Sequence, residues 1–153
     1  MCSSDLPNLE LSLFDLPTVA AEARAKFAAD PLTAKAHVFG GNFFTDPLPA
    51  GADLISLVRI VHDHDEAPVL ALLRSIRKSL APGGVLLIAE PMSGTVGAER
   101  VADAYFGFYL LAMGSGRPRN SEQIQALLTA AGFGTLRMLP TRRPFLTRLL
   151  IAS

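Results

Sequence analysis

Short apolar runs alternate along this chain with helical patterns, and that alternation constrains its fold more than any other feature. Residues 52–61 form a largely apolar run that stops at His62-Asp63-His64-Asp65-Glu66. A strand buried on both faces of a sheet reads this way, and such strands belong to parallel sheets covered by helices. Residues 85–89 repeat the pattern and end at Glu90-Pro91. Residues 9–14 form a strand that ends at Asp15, and residues 36–39 one that leads into Gly40-Gly41-Asn42-Phe43-Phe44. Helical spacing fills the intervals. Residues 17–27 read as a helix closed by Asp30-Pro31. Residues 67–80 read as an amphipathic helix, with Leu70, Leu73, Ile76, Arg77 and Leu80 recurring at helical spacing and Arg74 and Lys78 facing water. Ala81-Pro82-Gly83-Gly84 then stops it sharply. Residues 98–113 read as a long apolar helix rich in aromatics, and residues 121–131 as a helix closed by Gly132. The last two strands, residues 134–139 and 145–152, are joined by a segment short enough for a hairpin, so they are expected to be antiparallel.

The chain has 153 residues, which argues for one domain, and half of them are hydrophobic while 18% are charged, which argues for a packed core. Lys plus Arg and Asp plus Glu both number 14, so net charge gives no reason to expect nucleic acid or an anionic membrane as partner. A single cysteine, Cys2, excludes an internal disulfide and a cysteine-based zinc site and fits a reducing cytoplasm. No run is long and apolar enough to span a membrane. The start lacks the basic region and apolar core of a signal peptide. Residues 1–6 are read as a non-native leader and residues 7–153 as the folded part.

Asp15, His62 with Asp63, and Glu90 follow three of the strands. In an open α/β sheet ligands bind beyond the carboxyl ends of the strands, so these groups are expected on one rim. Any one of the carboxylates reads equally well as a helix cap. Together, with Asn42 in the same kind of position, they favour a site. Asp15 suits a ribose diol. Asn42 suits an adenine edge or a turn after Gly40-Gly41. His62, at the end of a central strand, suits a general base, with Asp63 orienting the substrate or the imidazole. A metal reading of the 62–66 cluster is set aside, because adjacent side chains diverge and no second cluster supplies ligands. Asp65 and Glu66 are expected to cap and charge the next helix, and His37 to be structural. No nucleophile elbow, Walker loop or Gly-x-Gly-x-x-Gly is present.

The ordered series Leu13-Phe14-Asp15-Leu16-Pro17, Gly40-Gly41-Asn42-Phe43-Phe44, Val61-His62-Asp63-His64-Asp65, Leu80-Ala81-Pro82-Gly83-Gly84 and Leu87-Ile88-Ala89-Glu90 resembles the class I O-methyltransferases related to plant caffeate, isoflavone and acetylserotonin methyltransferases. The resemblance implies a Rossmann-like α/β sheet with helices on both faces, here as the C-terminal part of a catalytic domain whose first strand and glycine-rich loop are missing. It implies S-adenosylmethionine as cofactor, held by Asp15, Leu16, Asn42 and Phe43. It implies His62 as base, Asp63 holding the acceptor and Glu90 orienting the base. His64 stands where Trp is usual, Asn42 where Asp is usual, Pro118 near a usual Glu, and Val58 where a Lys is usual. Residues 60–65, 103–110 and 113–119 look like the carotenoid 1-hydroxyl O-methyltransferases of phototrophic bacteria, which act on hydroxyneurosporene and demethylspheroidene. That implies a small hydrophobic hydroxylated acceptor against Phe106, Tyr109 and Met113, although from pattern alone Tyr105, Phe106, Phe108 and Tyr109 read as core. Other acceptors consistent with the family are phenols and bacteriochlorophyll precursors, and a non-catalytic nucleotide-binding module is the alternative of another class. The resemblance further implies a cytoplasmic homodimer made through an N-terminal domain absent here, working at a membrane surface if the acceptor is lipophilic.

Overall fold

The structure, a computed structural model, describes residues 9–98 and 104–153. The expected leader, residues 1–6, and residues 99–103 of the expected apolar helix lie outside the described residues. The chain divides into two compact units, Met1–Pro49 and Ala50–Ser153.

The first unit is a strand-helix-strand crossover. Strand β1 (Ser12–Asp15) pairs in parallel with β2 (His37–Gly40), and α1 (Pro17–Ala29) connects them. Pro17 at the start of α1 supplies a helical φ and needs no N–H partner there. His37 pairs with Glu10 at the surface, 3.2 Å apart.

The second unit holds a four-stranded sheet in the order β3-β4-β6-β5, made of β3 (Ala52–Val58), β4 (Leu80–Glu90), β5 (Leu136–Leu139) and β6 (Arg148–Ala152). β3 and β4 are parallel. The final pair is antiparallel, as expected, but β6 lies between β4 and β5 and is antiparallel to both. The 140–147 connection is longer than the expected hairpin loop.

Three expectations are corrected. β3 stops at Val58 rather than Val61, because Arg59 turns to a left-handed φ of 57°. β3 is also not buried on both faces: among the described residues it pairs only with β4, and Leu54 and Val58 are 55% and 57% exposed. The Pro82-Gly83-Gly84 segment does more than end a helix. Ala52 pairs with Leu80 and Leu54 with Val85, so residues 81–84 bulge out of the ladder within a longer β4.

Helix α2 (Glu66–Ser79) buries Val69, Leu72, Leu73 and Ile76, one stripe at helical spacing. Leu70 is only half-buried, and Arg77 is exposed, with its guanidinium over the Phe133 ring. Asp65 precedes α2 without capping it through its side chain. Helix α4 (Ser121–Ala130) starts with a capping box in which Asn120 and Gln123 bond each other's backbone N–H. It buries Ile124, Leu127 and Leu128 and packs on α2. Between them α3 (Phe106–Met113) buries only Leu110, whereas Tyr105, Phe108 and Leu111 are 63%, 74% and 77% exposed. The core reading of these aromatics therefore does not hold among the described residues. Among these residues no helix is long and apolar enough to cross a membrane.

Candidate active site

β4 delivers Glu90 into the interior, where it is 1% exposed. Its carboxylate shapes the chain that leaves β3. Oε1 accepts from the N–H groups of Ile60 (2.8 Å) and Val61 (2.7 Å), and Oε2 from that of His62 (3.3 Å). One buried group thus satisfies three backbone donors that left the ladder. Arg59, directly before these donors, is left-handed at φ 57°, a strain of about 1–3 kcal/mol that persists only where the surroundings impose it. The result is a 3₁₀ turn, Val61–Asp63, so His62 follows the strand in a turn instead of ending the strand.

His62 is buried at 5% exposure, and its Nδ1 lies 2.5 Å from Glu90 Oε2. An ionised carboxylate only accepts, so Nδ1 is the donor in this contact. Asp63 Oδ1 stands 3.0 Å from Nε2. That oxygen is buried and makes no hydrogen bond among the described residues, so the two groups attract each other only when the imidazole is protonated. A proton taken up at Nε2 would place a cation between two carboxylates. His64 follows in the same turn, and burial lowers its pKa below the ordinary histidine value while Asp63 opposes the shift.

Residues 115–119 clamp this turn from the other side. Ser115 Oγ donates to Asp63 O (3.1 Å), Arg117 N to His62 O (3.0 Å) and Gly116 N to Asp65 Oδ1 (3.2 Å). Gly116 has φ 80° and abuts the His62 carbonyl so closely that a Cβ would collide with it. Arg117 pairs with Glu66. Arg119 is buried, and burial pulls its guanidinium below the usual arginine range, with Arg117 adding to the shift and Glu66 opposing it.

A cleft of about 280 Å³ opens beside the imidazole, lined by Arg59, His62, Asp63, Tyr105, Phe106 and Tyr109. Phe106 meets His62 edge-on with ring centroids 5.7 Å apart, and the Arg59 guanidinium lies 5.2 Å from the centre of the same ring. Of the expected acceptor residues, Phe106 and Tyr109 line the cleft and Met113 does not. Among the described residues no group of three or more His, Cys, Asp or Glu could hold a metal ion.

In the first unit, Asp15 pairs in register with Gly40, so Gly41 and Asn42 begin directly beside the end of β1. A Cβ at Gly41 would lie 2.6 Å from Phe14 Cζ, so a larger residue there would have to push the ring aside. Asp15 Oδ1 accepts from Leu16 N (2.7 Å). Asn42 Oδ1 accepts from Phe44 N (2.9 Å), which makes Asn42 a turn residue as well as a candidate ligand. Phe43 is half-buried and packs edge-on against Phe44, and Leu16 is 49% exposed.

Residues 1–134 match a family described as an O-methyltransferase domain. The chain belongs to that family. This O-methyltransferase domain is 44% identical over 139 residues to demethylspheroidene O-methyltransferase of Cereibacter sphaeroides, covering 91% of the chain and 37% of that protein. It is 42% identical over 147 residues to the enzyme of the same name from Rhodobacter capsulatus, covering 96% and 36%. Among solved structures it is similar to human N-acetylserotonin methyltransferase in complex with SAM, with a TM-score of 0.82, 27% identity, and coverage of 99% of this chain and 42% of that one. The fold is thus that of the class I methyltransferases, and the chain spans little more than a third of the length of the curated relatives it matches.

Sequence reasoning singled out the turn but not its clamp. Arg119 carries no sign of burial, because arginine is almost always exposed unless paired. Its one local signal is its place directly before the Asn120 cap, where the chain has a fixed direction.

Proposed function

We propose that this domain, within its full-length protein, transfers the methyl group of S-adenosylmethionine to a hydroxyl of an apolar, carotenoid-type acceptor, with His62 as general base. The observation that carries the base role is the 2.5 Å contact of His62 Nδ1 with buried Glu90, which fixes the ring beside the cleft that His62 lines. His62 Nε2 takes the hydroxyl proton as the acceptor oxygen becomes nucleophilic. Glu90 keeps the tautomer, and Asp63 holds the hydroxyl. A positioned base of this kind contributes roughly 10²–10⁴-fold. Tyr105, Phe106 and Tyr109 give the cleft an aromatic wall suited to a polyene. The names of the two bacterial relatives support the same acceptor class.

The residues beyond β1 and β2 fit an adenosine cofactor. Asp15 Oδ2 and Asn42 Nδ2 have no hydrogen-bond partner among the described residues, so one offers an acceptor for ribose hydroxyls and the other a donor for an adenine edge. Leu16 and Phe43 supply apolar sides. Bound there, S-adenosylmethionine supplies an electrophilic sulfonium methyl. On this reading the full-length protein is a cytoplasmic homodimer that reaches its acceptor at a membrane surface. The exposed apolar side of α3 supports a further covering layer.

The test is an assay of the full-length protein with S-adenosylmethionine and either a hydroxylated carotenoid or a phenol, following S-adenosylhomocysteine and product mass. A methyl ether of the carotenoid is expected. Turnover of the phenol alone would refute the acceptor class. His62→Ala should lower kcat by about 10²–10⁴-fold with little change in cofactor affinity, and Asp15→Ala should weaken cofactor binding in calorimetry.

A further inference from the structure

One buried charge has no role in the scheme above. Arg119 is 1% exposed, and its Nη1 donates to Val61 O (2.7 Å) while Nη2 donates to His64 O (2.9 Å). Those two carbonyls bracket His62 and Asp63. Glu90 grips the same turn through the N–H groups of residues 60, 61 and 62. The turn is therefore held between a buried anion on its donors and a buried cation on its acceptors. Charge-assisted bonds are roughly twice as strong as neutral ones. The planar guanidinium fork also fixes its two carbonyls relative to each other, which an ammonium on a flexible stem does not do.

Closing a loop does not need a buried arginine. Desolvating a cation is costly, and Arg119 Nε has no hydrogen-bond partner among the described residues. The position is anchored in turn: Ser93 N donates to Arg119 O (3.0 Å), and Asn120 caps α4 immediately after it. We propose that Arg119 is a positioning residue for methyl transfer, setting the angle at which His62 Nε2 and Asp63 face the acceptor. This rests on the reading of His62 as base. Arg119 touches no substrate, and its effect passes through the turn.

The test uses the intact protein with Arg119→Met, Arg119→Lys, His62→Ala and the double variant Arg119→Met/His62→Ala. Folding is followed by circular dichroism, cofactor affinity by calorimetry, kcat and KM by methyl transfer, and the His62 Nδ1 proton by its downfield NMR resonance. Arg119→Met is expected to bind S-adenosylmethionine as the parent does and to lose about 10²-fold in kcat, the usual consequence of a misplaced catalytic group. Arg119→Lys should recover part of that loss, the Nδ1 resonance should move in both single variants, and the double variant should be no slower than His62→Ala. Folded Arg119→Met with parental kcat and an unmoved resonance would overturn the proposal, as would a further loss in the double variant. If Arg119→Met does not fold, Arg119→Lys decides alone: parental kcat with an unmoved resonance overturns the role, and reduced kcat with a moved resonance supports it. Parental kcat in His62→Ala would instead overturn the base assignment, an outcome separate from parental kcat in an Arg119 variant while His62→Ala is inactive.

Discussion

Glu90 accepts from three backbone N–H groups and faces an imidazole, so its amide cannot replace it without turning a donor toward donors. Glu90→Gln is expected to cost about 1–3 kcal/mol for each donor left unmet, visible as a lower thermal midpoint, and to lower kcat because Nδ1 loses its anionic partner. Parental stability and parental kcat together would show that the turn does not depend on the carboxylate. Asp15 and Glu90 were legible in the sequence as polar residues that end strands, and His62 and Asp63 as polar residues after an apolar run, although that run outlasts its strand. Arg119 was not legible, because its burial depends on carbonyls of residues 61 and 64, more than fifty positions away.

The elements themselves were mostly legible, and their ends were not. Residues 60 and 61 are apolar, so the run before His62 reads as continuous strand. The backbone nevertheless leaves the ladder at Arg59 to satisfy a carboxylate thirty positions downstream. Side-chain hydrophobicity carries no record of that competition. The Pro-Gly-Gly segment follows the end of α2 as its glycines suggest, but the bulge it also makes depends on pairing with β3, which local sequence does not record. Asp65, expected to cap α2, accepts instead from Gly116, a partner that local spacing cannot show. The same turn should give the molecule a pH dependence. Burial holds the His64 pKa below 6.5, so the unfolded chain takes up a proton before the folded one does. The contribution is intact above pH 6.5 and is lost as pH falls below it toward the folded-state value. Urea midpoints measured while pH is lowered from neutral should fall more steeply for the parent than for His64→Gln. Parallel slopes would show that His64 resists protonation no more in the fold than outside it.

At the scale of the whole chain, the two sheets end in strands with one neighbour each. β1 pairs only with β2, and β3 only with β4, among the described residues. A two-stranded sheet is marginal by itself, and an apolar edge strand is a template for another chain. The β3 edge is apolar, with Leu54 and Val58 more than half exposed, and α3 adds Phe108 and Leu111. Composition alone, with half its residues hydrophobic, suggested an ordinary packed core. A domain is stable by only about 5–15 kcal/mol, so edges and faces left bare weigh heavily. The 153-residue chain expressed alone is therefore expected to self-associate and to bind S-adenosylmethionine poorly. Light scattering behind size exclusion, with calorimetry for the cofactor, measures both. A monodisperse monomer that melts cooperatively and binds the cofactor tightly would mean that these edges are covered by the chain's own residues, and that the exposure of Leu54, Val58, Phe108 and Leu111 has no bearing on how it behaves in solution.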